Sequence, residues 1–282
     1  MFFRLGEGNF GEVHLGSYLT QTGALLQVAV KVLKGKLGKK ERVAFVKEAS
    51  LMRRYQHKHI VRMFGIASQK EPIMILLELA ANGSLKGHIH DHPELPVDHL
   101  RRYTLEAALG MEFLAANNVI HRDIAARNCL LTKEDSVKIS DFGLSSNKGQ
   151  VTETMLKNVP VKWLAPETLL KGVFNIKTDV YSFGIMMWEI FTKCQKDPYP
   201  DINNKEARKN IINGVFNVIP DGIPDDVVAV MKRCWTFNPD DRPSFDHIVR
   251  DLGGQAATKS FLSAAVDKND NYVEEEYFNL PK

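Results

Sequence analysis

The hydrophobic pattern of this chain changes near residue 80, and that change constrains the fold more than any other feature. Before it, short apolar or β-branched segments alternate with polar or glycine-containing turns, as is typical of strands. These segments are 12–18, 25–33, 61–67 and 72–79. From residue 96 onward the apolar spacing favours helices, and residues 180–191 are apolar on nearly every side, which predicts a helix buried at a domain centre. We therefore expect an α+β protein whose strands come first.

One helical stretch, residues 41–55, interrupts the strand-like part. Glu48 falls on the same stripe of this helix as the apolar Phe45 and Met52, and a carboxylate buried there is costly without a cation. Lys31, which closes an apolar strand, would satisfy that charge, and a lysine held in this way can neutralise the phosphates of a nucleotide. The alternative is a solvated lysine at a strand end.

Composition places the chain among globular proteins. Its 282 residues are 44% hydrophobic and 25% charged, which is enough for a full core and for two lobes. The 37 basic residues nearly cancel the 34 acidic ones, so no bulk field argues for a nucleic-acid partner. No apolar run reaches bilayer length, and the three cysteines lack metal spacing and suit a reducing compartment. We predict a cytoplasmic protein with no transmembrane segment and no nucleic-acid partner.

A glycine-rich segment near the start has the spacing with which backbone N–H groups approach phosphate oxygens. It comprises Gly6, Glu7, Gly8, Asn9, Phe10, Gly11, Glu12 and Val13. Dinucleotide-binding turns share this spacing, but they need a following helix and an acidic residue about 20 positions on. Here a strand follows and Lys31 stands where the acid should be, so the dinucleotide interpretation fails.

The strongest chemical signal is the run His-Arg-Asp-Ile-Ala-Ala-Arg-Asn at 121–128, followed by Asp-Phe-Gly at 141–143. Asp141 ends an alternating strand and should project from a sheet edge. Asp141 and Asn128 offer the hard oxygen ligands that suit Mg²⁺. Asp123 remains as the group that orients a hydroxyl and accepts its proton. Isolated carboxylates are usually surface charges, but a chance occurrence of these residues in this order and at this spacing is negligible.

Together these motifs resemble those of protein kinases of the tyrosine kinase group, and the likeness extends over residues 1–252. It implies a two-lobed protein kinase fold with ATP bound between the lobes. A β-rich N-lobe with one key helix would span 1–79, and a mostly helical C-lobe would span 80–252. The resemblance also implies a buried ion pair between Glu167 and Arg242.

The resemblance further assigns roles to individual residues. The catalytic residues would be Asp123, Arg127, Lys31 and Glu48, with Asp179 bracing the loop that carries Asp123. ATP would be the phosphate donor, bound with Mg²⁺, or alternatively Mn²⁺, at Asn128 and Asp141. Beyond the glycine-rich segment, the nucleotide contacts would be Leu5, Ala29, Lys31, Leu77, Glu78, Ala80 and Leu130.

Two features favour a tyrosine hydroxyl on a protein substrate as the phosphate acceptor. Ser/Thr kinases typically place a lysine two residues after the catalytic aspartate, whereas here that position is Ala125 and Arg127 supplies the cation. Residues 159–164 resemble the platform that holds the substrate's phenol ring in tyrosine kinases. The sequence as a whole resembles those of the Fes/Fer group of non-receptor tyrosine kinases. Two alternatives stay open: a pseudokinase scaffold without turnover, and a dual-specificity kinase that also acts on Ser/Thr.

The loop between Asp-Phe-Gly and Ala-Pro-Glu departs from the family pattern. The family usually carries a tyrosine there whose phosphorylation orders the loop, whereas residues 144–164 contain none. Arg122, which would pair with such a phosphate, is present. Thr152 and Thr154 could accept a phosphate from another kinase, with ordinary loop polarity as the alternative.

Three further segments carry weaker signals. Residues 253–282 are predicted to be a flexible acidic tail, in which Tyr277 is a candidate autophosphorylation site and contact for a phosphotyrosine-binding partner. The alternative is a merely solubilising tail. The lysines of segment 34–40 favour a solvated turn, with peripheral contact to anionic lipid as the alternative. The histidine-rich segment 88–92 favours a surface loop over a metal site, because alternate histidines share a face only on a strand.

Overall fold

The computed structural model describes residues 4–8, 11–20, 22–33, 43, 46, 49–50, 52–156 and 159–253. These residues form two compact units. The first comprises the described residues up to 56 together with 62–79, and the second comprises 57–61 and the described residues from 80 onward.

The first unit is built on an antiparallel sheet. Its strands are β1 (Arg4–Gly8), β2 (Gly11–Leu19), β3 (Leu25–Leu33), β4 (Met63–Ala67) and β5 (Met74–Glu78). They lie in the order β1-β2-β3-β5-β4, and Val28 and Leu33 of β3 and Ile75 of β5 are at most 2% exposed. The four predicted strands are thus confirmed to within two residues at each end. The described positions between 43 and 54 confirm the helix predicted there.

The second unit is mostly helical, as predicted for this part of the chain. Its helices are α1 (Leu85–Asp91), α2 (Val97–Ala116), α3 (Pro166–Lys171), α4 (Ile176–Phe191), α5 (Asn204–Ile212) and α6 (Asp225–Cys234), and residues 245–253 are also helical. Helix α4 is the central one, because every residue from 178 to 191 is buried. Its start is fixed by a reciprocal cap in which Asn175 and Thr178 each accept the other's backbone N–H. Among the described residues, no helix combines the length and hydropathy that a bilayer crossing requires.

Short strands and 3-10 turns occupy the region between α2 and α4. Strands β6 (Cys129–Leu131) and β7 (Val137–Ile139) pair antiparallel, as do β8 (Gln150–Thr152) and β9 (Val173–Asn175). Segment 57–61 attaches to β7. The Val61 N–H donates to the Ile139 carbonyl and the Ile139 N–H donates to the His59 carbonyl, both at 2.9 Å. These bonds explain why 57–61 belongs to the second unit although its sequence neighbours belong to the first.

A buried ion pair connects α3 to the region just after α6. Arg242 is 2% exposed, and its two terminal nitrogens donate to the Glu167 carboxylate at 2.6 and 2.8 Å. The predicted pair is therefore confirmed. The three other N–H groups of the guanidinium donate to the carbonyls of Thr236, Lys177 and Phe237, at 2.8, 2.9 and 3.1 Å. All five donors thus have an acceptor.

The histidine-rich segment 88–92 is not the surface loop predicted from sequence. Most of it belongs to helix α1, because the Ser84 side chain caps that helix and accepts the Gly87 N–H at 3.1 Å. Leu85 and Ile89, one turn apart, are both fully buried and anchor the helix to the unit. The prediction was wrong because it considered the histidine spacing and not the cap or this apolar pair.

Candidate active site

Four of the nucleotide-contact residues predicted in the first unit lie on one face of its sheet. Val13 on β2 is directly opposite Lys31 on β3, and Ala29 on β3 is directly opposite Leu77 on β5. Ala29 and Lys31 are two positions apart and therefore project to the same face. Lys31 is 6% exposed. The face thus combines apolar side chains with one cation, which suits a base and its attached phosphates.

The β1–β2 hairpin carries the glycine-rich segment. Gly6 is opposite Val13, and Gly8 is opposite Gly11. A Cβ atom at Gly11 would lie 1.9 Å from the Val32 carbonyl oxygen, so this position requires glycine. Of the remaining predicted contacts in this unit, Leu5 and Glu7 lie on β1, Glu12 on β2 and Glu78 on β5.

Several predicted residues fall outside the described part of the chain or in the second unit. Glu48, Asn9 and Phe10, together with segment 34–40 and the tail that contains Tyr277, lie outside the described residues. The Lys31–Glu48 pair therefore stays a prediction. In the second unit, Ala80 precedes α1 and Leu130 lies on β6, where it forms a bridge with Ser84.

A buried carboxylate fixes the loop of the second unit that carries Asp123 (residues 121–128). Asp179, which is 1% exposed, accepts the backbone N–H groups of His121 at 2.7 Å and Arg122 at 2.9 Å. Burial raises the pKa of Asp179, and the two N–H groups oppose that rise by stabilising the charged form. Arg122 is held at a φ of 74°, a conformation that non-glycine residues adopt only when their surroundings require it. The predicted bracing by Asp179 is confirmed.

The Asp123 carboxylate is held by two donors from the same loop. Arg127 donates to one oxygen at 2.5 Å, and the Asn128 side-chain amide donates to the other at 2.8 Å. The same amide also donates to the Asp123 carbonyl at 2.7 Å. The Asp123 side chain is 11% exposed, so this orientation is set by neighbours rather than by solvent. A carboxylate fixed in this way can accept a proton from a hydroxyl placed before it.

The two predicted metal ligands lie at adjoining ends of β6 and β7. The Asn128 carbonyl accepts both the backbone N–H and the hydroxyl of Ser140, each at 2.9 Å, and Asp141 follows directly. Asp141 has a φ of 60°, and the next residue, Phe142, is 1% exposed and packs edge-on against His121 at 5.3 Å. The Asn128 amide nitrogen donates to Asp123, so only the amide oxygen could serve as a metal ligand. An amide oxygen and a carboxylate are donors of the kind that Mg²⁺ prefers.

A buried cluster that sequence reasoning missed joins loop 121–128 to the predicted substrate platform. Glu189 of α4, 1% exposed, accepts the Trp163 indole N–H at 2.9 Å and the Ala126 backbone N–H at 3.0 Å through one oxygen. The Arg127 guanidinium lies over the Trp163 ring at 4.7 Å. Burial raises the pKa of Glu189 despite these donors. The sequence did contain a signal for this cluster, because an acidic residue such as Glu189 within a mostly apolar helix needs hydrogen-bond donors.

The comparisons with known proteins agree with this geometry. Residues 2–252 match the family model described as protein tyrosine and serine/threonine kinase. The chain is 41% identical over 251 residues to Fer-related kinase 1 of Caenorhabditis elegans and 38% identical over 253 residues to human tyrosine-protein kinase Fer. It is 40% identical over 253 residues to the tyrosine-protein kinase transforming protein Fps of avian sarcoma virus (strain PRCII). Each alignment covers 88% of this chain.

These relatives are longer than the part that is matched. The alignments cover 63% of the nematode protein, 30% of human Fer and 47% of the viral protein, so this chain spans less than two thirds of each. The predicted two-lobed fold class and the predicted resemblance to the Fes/Fer group are both confirmed. The chain belongs to the protein tyrosine and serine/threonine kinase family.

Proposed function

We propose that this chain is a protein tyrosine kinase that transfers the γ-phosphoryl group of ATP to tyrosine hydroxyls of protein substrates. The observation that carries the proposal is the Asp123 carboxylate, held by Arg127 and Asn128 in a loop that Asp179 fixes. Arg127 also stacks on Trp163 of the predicted tyrosine platform, which links the acceptor site to the proton acceptor. The similarity to proteins named as tyrosine kinases supports the same acceptor.

The transfer reaction assigns a role to Asp123 and a role to Arg127. The tyrosine oxygen forms a bond to the γ-phosphorus, the bond from that phosphorus to the bridging oxygen of ADP breaks, and ADP leaves. Asp123 orients the tyrosine hydroxyl and accepts its proton. Arg127 keeps the Asp123 carboxylate in one orientation and places a positive charge beside the transferred group.

Nucleotide binding is assigned to the sheet face of the first unit and to the metal ligands of the second. Lys31 would bind the α- and β-phosphates, and Val13, Ala29 and Leu77 would contact the base. Mg²⁺, or alternatively Mn²⁺, bound by Asn128 and Asp141, would neutralise phosphate charge.

Location and a further partner are extensions of this proposal. We assign the kinase to the cytoplasm, with peripheral membrane contact through segment 34–40 as the alternative. Tyr277 would be an autophosphorylation site that a phosphotyrosine-binding protein recognises. Phosphopeptide mapping after incubation with ATP tests this assignment, and an unmodified Tyr277 would reject it.

The experiment that tests the proposed function is Asp123→Asn, assayed with Mg-ATP and a pool of tyrosine-containing peptides. Removing the proton acceptor should lower kcat by at least about 100-fold, while ATP affinity, measured calorimetrically, stays within about twofold because Asp123 is not assigned to the nucleotide. Asp226→Asn, which breaks the exposed pair with Arg101, is the control and should keep full activity.

Two results would contradict the proposal. Nucleotide binding by the unaltered chain without any transfer would indicate a pseudokinase scaffold. Transfer to serine or threonine peptides at rates similar to tyrosine peptides, found by phosphoamino-acid analysis, would indicate dual specificity.

A further inference from the structure

An ion pair joins loop 121–128, the proposed catalytic loop, to the loop that follows Asp-Phe-Gly. The Arg122 guanidinium donates to the Glu153 carboxylate at 2.7 Å and, through its other terminal nitrogen, to the Leu144 carbonyl at 3.1 Å. The same guanidinium lies 4.3 Å from the centre of the Phe174 ring on β9. The Arg122 side chain is only 13% exposed. One cation therefore contacts two points of the loop and the strand packed beside it.

The position of Glu153 is fixed by its own backbone. Glu153 directly follows β8, and its N–H donates to the Gly172 carbonyl at 2.9 Å, which extends the pairing of β8 with β9. Gly172 has a φ of 68°, and a Cβ atom there would lie 2.0 Å from the Glu153 carbonyl oxygen. The carboxylate thus reaches Arg122 from a main chain that is already hydrogen-bonded, so little further ordering is needed to form the pair.

Arg122 transmits this contact to the catalytic carboxylate. It directly precedes Asp123, its backbone N–H is bound by Asp179, and its φ of 74° persists only while its surroundings hold it. Release of the guanidinium would remove two of the contacts that keep this conformation, and Asp123 would lose its fixed orientation.

The loop that follows Asp-Phe-Gly provides the Glu153 contact but contains no residue that a tyrosine kinase would itself phosphorylate. Residues 144–164 contain no tyrosine, and Glu153 supplies a permanent negative charge at Arg122. We propose that Glu153 is a positioning residue that replaces a loop phosphate, so that the catalytic loop is held in its working geometry without loop phosphorylation. The inference rests on the proposed kinase function.

The first test is Glu153→Gln, which keeps the shape of the side chain and removes its charge. Glu153 is 43% exposed and Arg122 is mostly buried. The stabilising free energy lost with this contact should therefore lie between that of a surface ion pair and that of a buried charged hydrogen bond. We expect kcat to fall by about three- to tenfold, with KM for ATP unchanged. Asp226→Asn, which breaks an ion pair with a similarly short contact of 2.6 Å, is the matched control and should keep the original kcat.

A second variant tests directly whether Glu153 takes the place of a loop phosphate. Glu153→Tyr should start with low activity, gain activity during incubation with ATP as the new tyrosine is phosphorylated, and lose it again on treatment with a tyrosine phosphatase. The unaltered chain should show no lag and no phosphatase sensitivity. A residue that only stabilised the fold would not produce this dependence.

Trypsin cleavage after the exposed Lys148 gives a readout that does not require catalysis. Cleavage should be faster in Glu153→Gln than in the unaltered chain or in Asp226→Asn. The proposal is overturned if Glu153→Gln keeps the original kcat and cleavage rate, or if the unaltered chain needs phosphorylation of Thr152 or Thr154 for activity. Faster cleavage in Glu153→Gln with no transfer by any variant would support the loop anchor and reject the kinase function instead.

Discussion

The Arg242–Glu167 pair offers a sharp test of how much geometry, rather than charge, holds the second unit together. Arg242→Lys keeps the positive charge but replaces five N–H donors with three. Arg242 uses all five, two on the Glu167 carboxylate and three on backbone carbonyls. A lysine that served both carboxylate oxygens and one carbonyl would leave two carbonyls without this donor.

The cost follows from these two lost bonds. A buried polar group left without its partner costs about 1–3 kcal/mol, which gives a sum of about 2–6 kcal/mol. The lower part of that range applies, because the Lys177 carbonyl lies within α4 and keeps its helical hydrogen bond. We therefore expect a loss of about 2–4 kcal/mol in the free energy of unfolding, a large fraction of the stability of a typical domain.

Urea unfolding followed by circular dichroism measures this loss. Arg250→Lys is the matched control, because Arg250 pairs with Asp246 on the surface and its side chain is 49% exposed. The control should change the free energy of unfolding by less than about 0.5 kcal/mol. A cost for Arg242→Lys as small as that of the control would refute the reasoning, since it would mean that charge alone satisfies this site.

Two further predictions concern stability. Burial lowers the pKa of both His57 and His59 to about 4. The unfolded chain binds these protons near pH 6.5 and the folded chain does not, so the free energy of unfolding should be unaffected by them above that pH and should fall towards pH 4. Urea midpoints across this interval should fall less steeply for His59→Gln, and an unchanged slope would contradict the assignment. Gly184→Ala should cost about 1–3 kcal/mol by overpacking, because its Cβ would lie 2.7 Å from the Trp235 indole nitrogen, whereas Gly87→Ala, with one contact at 3.2 Å, should be neutral or stabilising. Urea unfolding of both variants measures the difference, and equal free energies of unfolding would contradict the overpacking argument.

The parts of the fold that could be predicted are those set by local pattern. The strands are confirmed to within two residues because their apolar runs are short and bounded by turns. The central helix was predictable because residues 180–191 are apolar on nearly every side. Asp179 and the Glu167–Arg242 pair were found through family resemblance rather than through periodicity, which gives no information on distant partners.

The contacts that could not be predicted join residues far apart in the chain. Arg122 and Glu153 are 31 positions apart, and Ala126 and Glu189 are 63 positions apart. A sequence shows that each acid exists, but the choice among many cations and N–H groups depends on how helices and loops pack. From the sequence alone Glu189 is an interruption of an apolar run, and its two donors, the Ala126 N–H and the Trp163 indole N–H, are known only from the structure.

The attachment of 57–61 to β7 has a consequence for any attempt to divide the protein. Within the described residues the chain passes from one unit to the other at 56–57, at 61–62 and at 79–80, so no single cut separates the two. A fragment that began at residue 80 would leave the Val137 and Ile139 edge of β7 without the hydrogen bonds that His59 and Val61 provide. Residues 57–61 belong to the second unit although both of their sequence neighbours belong to the first, so a substitution within these five residues should lower the stability of the second unit.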